Sequence, residues 1–94
     1  MARLLRASTL PEPVRQHPVG PYRIDFAWLR QRIGCECGGF ETHGGRLAWK
    51  RDRRRLSWLE AAGWRIVLVT WDDVTLRSAE TVDRLSLVLR DAAA

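Results

Sequence analysis

Hydrophobic and polar residues alternate along two neighbouring segments, YRIDFAW at residues 22–28 and RIGCECGG at residues 32–39. A repeat of two residues predicts β-strands. The turn-forming residues HPVGP, at positions 17–21, precede the first segment, so residues 14–28 are predicted to form a hairpin. On the first predicted strand, Tyr22, Ile24, Phe26 and Trp28 share one face and Asp25 lies on the other. On the second, Ile33, Cys35 and Cys37 share one face and Glu36 lies on the other.

The remaining segments predict two helices and a fourth strand. RLAWKRDRRRLSWLEAA, residues 46–62, has helical periodicity and is followed by Gly63, a common residue at a helix C-terminus. WRIVLVTW, residues 64–71, is the most apolar strand, and SAETVDRLSLVLRDAAA, residues 78–94, is a second helix with an apolar stripe. The order of elements is typical of an α/β domain. We predict one domain over residues 1–94, with an N-terminal arm at 1–13 and a core at 14–92.

The charge of the chain favours an acidic partner. Its 94 residues include 16 Lys+Arg and 11 Asp+Glu, a net charge of +5, and Lys50 is the only lysine. Arginine suits bidentate contacts to phosphate, which favours nucleic acid, although a GC-rich genome also enriches arginine. No apolar run reaches the roughly 20 residues of a membrane helix. Without a secretory signal pattern, a cytoplasmic location and no membrane partner are expected.

Two cysteines invite a comparison with zinc sites. Cys35 and Cys37 lie on the same face of a predicted strand, and the chain has no other cysteine. Structural zinc sites usually need four converging ligands. The spacing therefore favours two small core residues, reduced and without zinc.

Two carboxylates suggest a different site. Asp25 and Glu36 lie on adjacent predicted strands, each opposite an apolar row, and an antiparallel pairing brings such residues close together. Carboxylate oxygens suit Mg²⁺, and the arginine-rich helix that follows would suit a phosphodiester. The alternative is that both carboxylates face solvent or pair with arginines.

The segments YRIDFAW, CECGGFETHG and RDRRRLSWLEAAGWRIVLVTWDDV together resemble the PD-(D/E)XK nuclease superfamily. The most similar group is the very-short-patch-repair-endonuclease-like domains, many of them bacterial, and the resemblance covers roughly residues 10–90. It implies a restriction-endonuclease-like fold, with a mixed central β-sheet flanked by helices. It also implies metal-dependent hydrolysis of nucleic acid, with DNA as the expected substrate and Mg²⁺ or Mn²⁺ as the cofactor.

The resemblance also implies roles for single residues. Asp25 and Glu36 take the positions of the acidic metal ligands, and His43 takes that of a histidine that assists proton transfer or contacts phosphate. The basic helix corresponds to the nucleic-acid-binding helix. Its candidate contacts are Lys50, Arg51, Arg54 and Arg55, of which Arg51 and Arg55 are spaced to act on one side.

One position departs from the family pattern. Relatives often carry Glu-x-Asp-Gly and the superfamily Glu-x-Lys, whereas this chain has Glu36, Cys37 and Gly38. Glycine cannot bind a metal or orient water through a side chain. Either a residue such as His43, Glu41 or Lys50 replaces the missing group, or the domain is degenerate and binds nucleic acid or protein without cleavage. A third interpretation is a fragment of a larger assembly, and a homodimer or a larger complex remains open.

Overall fold

The computed structural model describes residues 1–37 and 45–93. The elements follow the predicted order, with an additional short helix at each of two places: at the N-terminus and after the last strand. They are α1 Ala2–Ala7, β1 Val14–Val19, β2 Tyr22–Trp28, β3 Ile33–Cys37, α2 Gly45–Ala61, β4 Arg65–Val69, α3 Trp71–Thr75 and α4 Ser78–Ala93. Of the described helices, none is long and apolar enough to cross a membrane.

The four strands form one mixed sheet in the order β1-β2-β3-β4. The pairs β1–β2 and β2–β3 are antiparallel, and β3–β4 is parallel. Parallel neighbours need a crossover, and α2 supplies it between β3 and β4. The mixed α/β architecture that the sequence predicts is therefore confirmed, and it is compatible with a restriction-endonuclease-like fold.

Each face of the sheet packs against its own helices. Ile33 and Cys35 of β3 join Leu85 and Leu89 of α4 in one buried cluster, and Leu5 of α1 belongs to the same cluster. The other cluster combines Ile24, Ala27, Leu59 and Trp64, so α2 covers the opposite face. The intervening Gly34 lies on the α2 face, because a Cβ there would meet Ile24 and Ile66.

The predicted alternation along β2 is wrong at one point. Ile24 packs in the α2 cluster, whereas Phe26 and Trp28 pack in the α4 cluster. The alternation shifts by one residue at Asp25. Opposite this position, between the paired residues Arg15–Phe26 and His17–Ile24, Gln16 of β1 has a left-handed backbone with φ 52°. This local irregularity of the strand pairing accounts for the change of face. The two-residue alternation of hydrophobic and polar residues in the sequence cannot reveal such an irregularity.

The residues after β4 turn sharply into α3. Thr70 accepts a hydrogen bond from the Asp73 backbone N–H at 3.0 Å, and the Asp73 carboxylate accepts one from the Thr70 backbone N–H at 3.0 Å. This reciprocal arrangement is a capping box, which satisfies N–H groups at the start of a helix. The sequence pattern extends the strand to Trp71 and predicts no helix over the residues that follow, whereas the strand ends at Val69 and α3 begins at Trp71.

Candidate functional site

Arg55 of α2 binds the carboxylate of Glu36 on β3 through both terminal nitrogens of its guanidinium. Nη1 donates to Oε1 at 2.8 Å, and Nη2 donates to Oε2. Nη2 also donates to the backbone carbonyl oxygen of Arg23 on β2 at 2.7 Å. One guanidinium therefore connects the crossover helix to two neighbouring strands.

Asp25 belongs to the same cluster. It lies one residue beyond the β2–β3 pair Phe26–Cys35, which places it next to Glu36 on the adjacent strand. Its carboxylate lies close enough to the Arg55 guanidinium to favour the charged form of that group. The Gln16 side-chain amide donates to Asp25 Oδ1 at 3.2 Å. The structure thus brings the two predicted metal ligands to adjacent strands beside one cation, while their role as metal ligands stays a prediction.

Arg55 faces the sheet because of its position on α2. Leu59, four residues later, is fully buried, and residues spaced by four lie on the same side of a helix. The Tyr22 ring lies beneath the guanidinium, with 5.9 Å between the Arg55 Cζ atom and the ring centroid. Trp58 contacts Tyr22 edge-on at 5.6 Å between centroids. Aromatic side chains thus limit the space in which the Arg55 side chain can move.

The ion pair is largely shielded from water. The side chains of Arg55 and Glu36 are 21% and 12% exposed, respectively. Hydrogen bonding to Glu36 raises the pKa of Arg55 above its usual value, and the nearby carboxylates of Asp25 and Asp52 add to this effect. Arg55 therefore remains a permanent cation between the two carboxylates.

The other candidate basic residues of α2 face solvent. Lys50, Arg51 and Arg54 are exposed, whereas Arg55 is half-buried. Arg51 and Arg55 are four residues apart on one side of α2, as predicted, but Arg55 is turned to the sheet and Arg51 to solvent. Their joint action on phosphate stays a prediction. Arg55 belongs to the carboxylate cluster, and the exposed side chains of Lys50, Arg51 and Arg54 form a basic helix surface. Their binding of nucleic acid stays a prediction.

Some residues of interest lie outside the described part of the chain. These are Gly38, Glu41 and His43, so the prediction that His43 acts in proton transfer is not tested. Within residues 1–37 and 45–93, no group of three or more His, Cys, Asp or Glu side chains is placed to hold a metal ion.

The two cysteines face the α4 cluster, away from Glu36. Cys35 is fully buried and Cys37 is half-buried, and both are free cysteines. Burial raises the pKa of the Cys35 thiol to about 12. The packing of Cys35 inside this cluster and of Cys37 against it agrees with the prediction that these cysteines are core residues.

The Arg55–Glu36 pair is the feature that sequence reasoning missed. The run of basic residues groups Arg55 with the exposed arginines, although its spacing of four residues from Leu59 already indicates the buried side of the helix. Pairing of the carboxylates with arginines is an open alternative in the sequence, but the partner cannot be identified there. The sequence gives no comparable indication that Gln16 or Tyr22 lies at this site, because their positions there depend on how β1 and β2 pack against α2.

Comparison with known families agrees with this architecture. The family model REase_MTES_1575 matches residues 2–89. The chain belongs to the REase_MTES_1575 family. This is a restriction endonuclease-like family by name, consistent with the PD-(D/E)XK superfamily.

Relatives of this REase_MTES_1575 domain occur in Escherichia coli and Mycobacterium tuberculosis. The "Uncharacterized protein YcjD" of Escherichia coli (strain K12) is 44% identical over 68 residues, which cover 72% of this chain and 55% of that protein. The "Uncharacterized protein Rv2248" of Mycobacterium tuberculosis (strain ATCC 25618 / H37Rv) is 34% identical over 80 residues, which cover 82% of this chain and 30% of that protein. The matched region is therefore only about a third to a half of these relatives. No solved structure was found to match the chain.

Proposed function

We propose that this chain is a metal-dependent endonuclease domain of the very-short-patch-repair-like type, which hydrolyses phosphodiester bonds of nucleic acid, DNA in particular. The observation that carries the proposal is that Asp25 and Glu36 lie on adjacent strands beside the Arg55 cation. Two neighbouring carboxylates repel each other unless a positive charge lies nearby. Membership of a restriction endonuclease-like family supports a nuclease-like chemistry for this point of the sheet.

The donor chemistry of the cluster fits Mg²⁺ or Mn²⁺. Mg²⁺ in proteins is usually held by one or two carboxylates, with waters and substrate phosphates completing its coordination. Asp25 and Glu36 would supply these carboxylates. A bound ion would activate water and stabilise the charge that develops on the phosphoryl group.

Other residues would bind the substrate and move protons. The exposed side chains of Lys50, Arg51 and Arg54 would contact phosphates along the backbone, which is largely independent of base sequence. Arg55 would contact the phosphate nearest the carboxylates. His43 would donate or accept a proton, since the unperturbed pKa of histidine is roughly 6.5. A cytoplasmic location follows from this proposal, because DNA in a bacterium lies in the cytoplasm.

A second candidate is a domain that binds nucleic acid or protein without cleavage. The bidentate hydrogen bonds of Arg55 engage both oxygens of Glu36, the residue that a metal would need. Glycine at position 38 points in the same direction, because the nuclease pattern that this segment resembles often has aspartate there. In this second candidate Arg55 replaces the metal and stabilises the fold.

Cleavage of supercoiled plasmid and of single strands, with Mg²⁺, with Mn²⁺ and with EDTA, separates the two candidates. An active nuclease should convert plasmid only with metal, and Asp25→Asn and Glu36→Gln should each abolish the conversion. Asp91→Asn, which removes an exposed carboxylate of α4, serves as the charge-matched control for both substitutions. No cleavage by the wild type, with metal binding gained in Gly38→Asp, would instead support the non-cleaving domain.

A further inference from the structure

We infer that Arg55 competes with a divalent cation for Glu36, and that its guanidinium moves to a phosphate group of the substrate when the cation binds. Binding of the cation and of the phosphate would then depend on each other through Arg55, which would contact the substrate directly. The inference rests on the proposed function, and it concerns how this site controls the binding of its metal.

The first step is competition for Glu36. Both carboxylate oxygens accept hydrogen bonds from the Arg55 guanidinium, and Glu36 is only 12% exposed. A divalent cation needs at least one of the same oxygens, and it would repel a guanidinium left in place. The protein without substrate should therefore bind divalent cations weakly.

The second step is the fate of the displaced guanidinium. Its other contacts are the Arg23 carbonyl oxygen, at 2.7 Å, and the Tyr22 ring. Both groups are uncharged and neither contact requires Glu36. Arg55 can therefore release Glu36 and stay beside the cluster, with N–H groups that match the paired oxygens of a phosphate.

The third step is the charge of the cluster. Asp25, Glu36 and Arg55 together carry a net formal charge of minus one. A divalent cation changes this charge to plus one, and a phosphodiester group, which carries one negative charge, then returns it to zero. A cation without a phosphate, or a phosphate without a cation, leaves a charge imbalance in a partly buried place. The cluster is thus electrostatically matched to the pair of ligands.

The test measures Mn²⁺ binding from the decrease of the free-ion electron paramagnetic resonance signal. Protein is titrated alone and with a short DNA duplex whose phosphorothioate linkages resist hydrolysis, and Mn²⁺ taken up by the duplex is measured separately. In the wild type, the duplex should raise the affinity for Mn²⁺ by a factor of about 5–150, the usual range for coupled sites. Without duplex, the Arg55→Gln variant should bind Mn²⁺ more tightly than the wild type does, again by a factor of about 5–150.

Two further variants keep the result interpretable. Arg55→Lys keeps the charge but removes the two-pronged hydrogen bond, so its affinity for Mn²⁺ alone should fall between the wild type and Arg55→Gln. Arg90→Gln should behave as the wild type, because α4 covers the opposite face of the sheet. Thermal unfolding followed by circular dichroism shows which variants remain folded.

Two results would overturn the inference while the proposed function stands. One is Mn²⁺ binding to Arg55→Gln that is no tighter than to the wild type. The other is a wild-type affinity for Mn²⁺ that is the same with and without duplex. If the folded wild type and variants bind neither Mn²⁺ nor duplex, the proposed function fails as well. This outcome is distinguishable from the first two results, in which Mn²⁺ still binds but its affinity does not depend on Arg55 or on the duplex.

Discussion

Arg55 and Glu36, 19 residues apart in the chain, form a two-pronged ion pair that joins α2 to β3. A third hydrogen bond from the same guanidinium reaches the Arg23 carbonyl on β2. One of the two carboxylates that we propose as metal ligands is thus already paired with a side-chain cation. Substitutions of this pair should therefore change both the stability of the domain and the proposed binding of metal. Unfolding and binding experiments measure the two effects separately.

Glu36→Ala should destabilise the domain more than Asp25→Ala. Glu36 accepts two charge-assisted hydrogen bonds in a shielded place, and hydrogen bonds to charged groups contribute about 1.5–3 kcal/mol. Asp25 accepts one exposed hydrogen bond from Gln16, so its removal should cost less. Urea unfolding of both variants measures the difference in the free energy of unfolding. An equal or larger decrease in Asp25→Ala would show that the ion pair contributes little.

The basic surface of α2 predicts a salt-dependent affinity for nucleic acid. Replacement of both Arg51 and Arg54 by alanine should lower the slope of log affinity against log salt by about 0.9 for each phosphate of duplex DNA that is no longer neutralised. Fluorescence anisotropy at several salt concentrations measures the slope. Arg90→Ala is the control for removal of a charge elsewhere. An unchanged slope in the double variant would show that Arg51 and Arg54 face solvent without contacting phosphates.

Gly34 is expected to tolerate no side chain. A Cβ there would lie 2.6 Å from Ile24 Cγ2 and 2.8 Å from Ile66 Cδ1, inside the core between β3 and α2. Gly34→Ala should therefore reduce the free energy of unfolding by about 1–3 kcal/mol through overpacking. Adding Ile66→Val removes the Cδ1 atom and should recover part of the decrease. Full stability of the single variant would mean that the core is looser than the structure indicates.

Asp73 should make the domain sensitive to acid. The Thr70 backbone N–H and then Arg77 and Arg84 hold the pKa of Asp73 below its ordinary value of 3.8. A carboxyl whose pKa is lowered by folding stabilises the folded state above its unfolded pKa, and this contribution is lost as pH falls through the folded pKa. Asp73→Asn should therefore lower the thermal midpoint at pH 7, and this effect should become progressively smaller as the pH falls below 3.8.

Asp72→Asn, at the neighbouring exposed position of α3, is the matched control for Asp73→Asn. It removes a carboxylate from the same helical turn without removing the capping box. An equal decrease of stability in both variants would point to the general effect of negative charge at a helix N-terminus instead.

Much of the fold was predictable from the sequence because its strands and helices have strong periodicity. The predicted strand over residues 22–28 coincides with β2, and the predicted segment 32–39 contains β3. The helix predicted to end before Gly63 ends at Ala61. Gly63 has φ 92°, which explains why glycine ends that helix well. The two-residue alternation was misleading only at Asp25, where an irregular ladder turns Ile24 and Phe26 to opposite faces.

The candidate site was predictable only in part. Spacing and family resemblance placed Asp25 and Glu36 together, since adjacent strands bring such residues to one position. The partner of Glu36 depends on the packing of α2 against the sheet, which joins residues distant in sequence. Short-range patterns carry no information about such packing, except for the spacing of Arg55 from buried Leu59.

The most direct test of the central claim is a crystal structure of the protein with Mn²⁺ and a hydrolysis-resistant DNA duplex, with the ion located by its anomalous scattering. We predict an anomalous peak roughly 2.1 Å from an oxygen of Asp25 and an oxygen of Glu36, by analogy with the bond lengths of Mg²⁺. The Arg55 guanidinium should then contact a phosphate. A bound duplex with no metal at these carboxylates, and Arg55 still paired with Glu36, would contradict the claim.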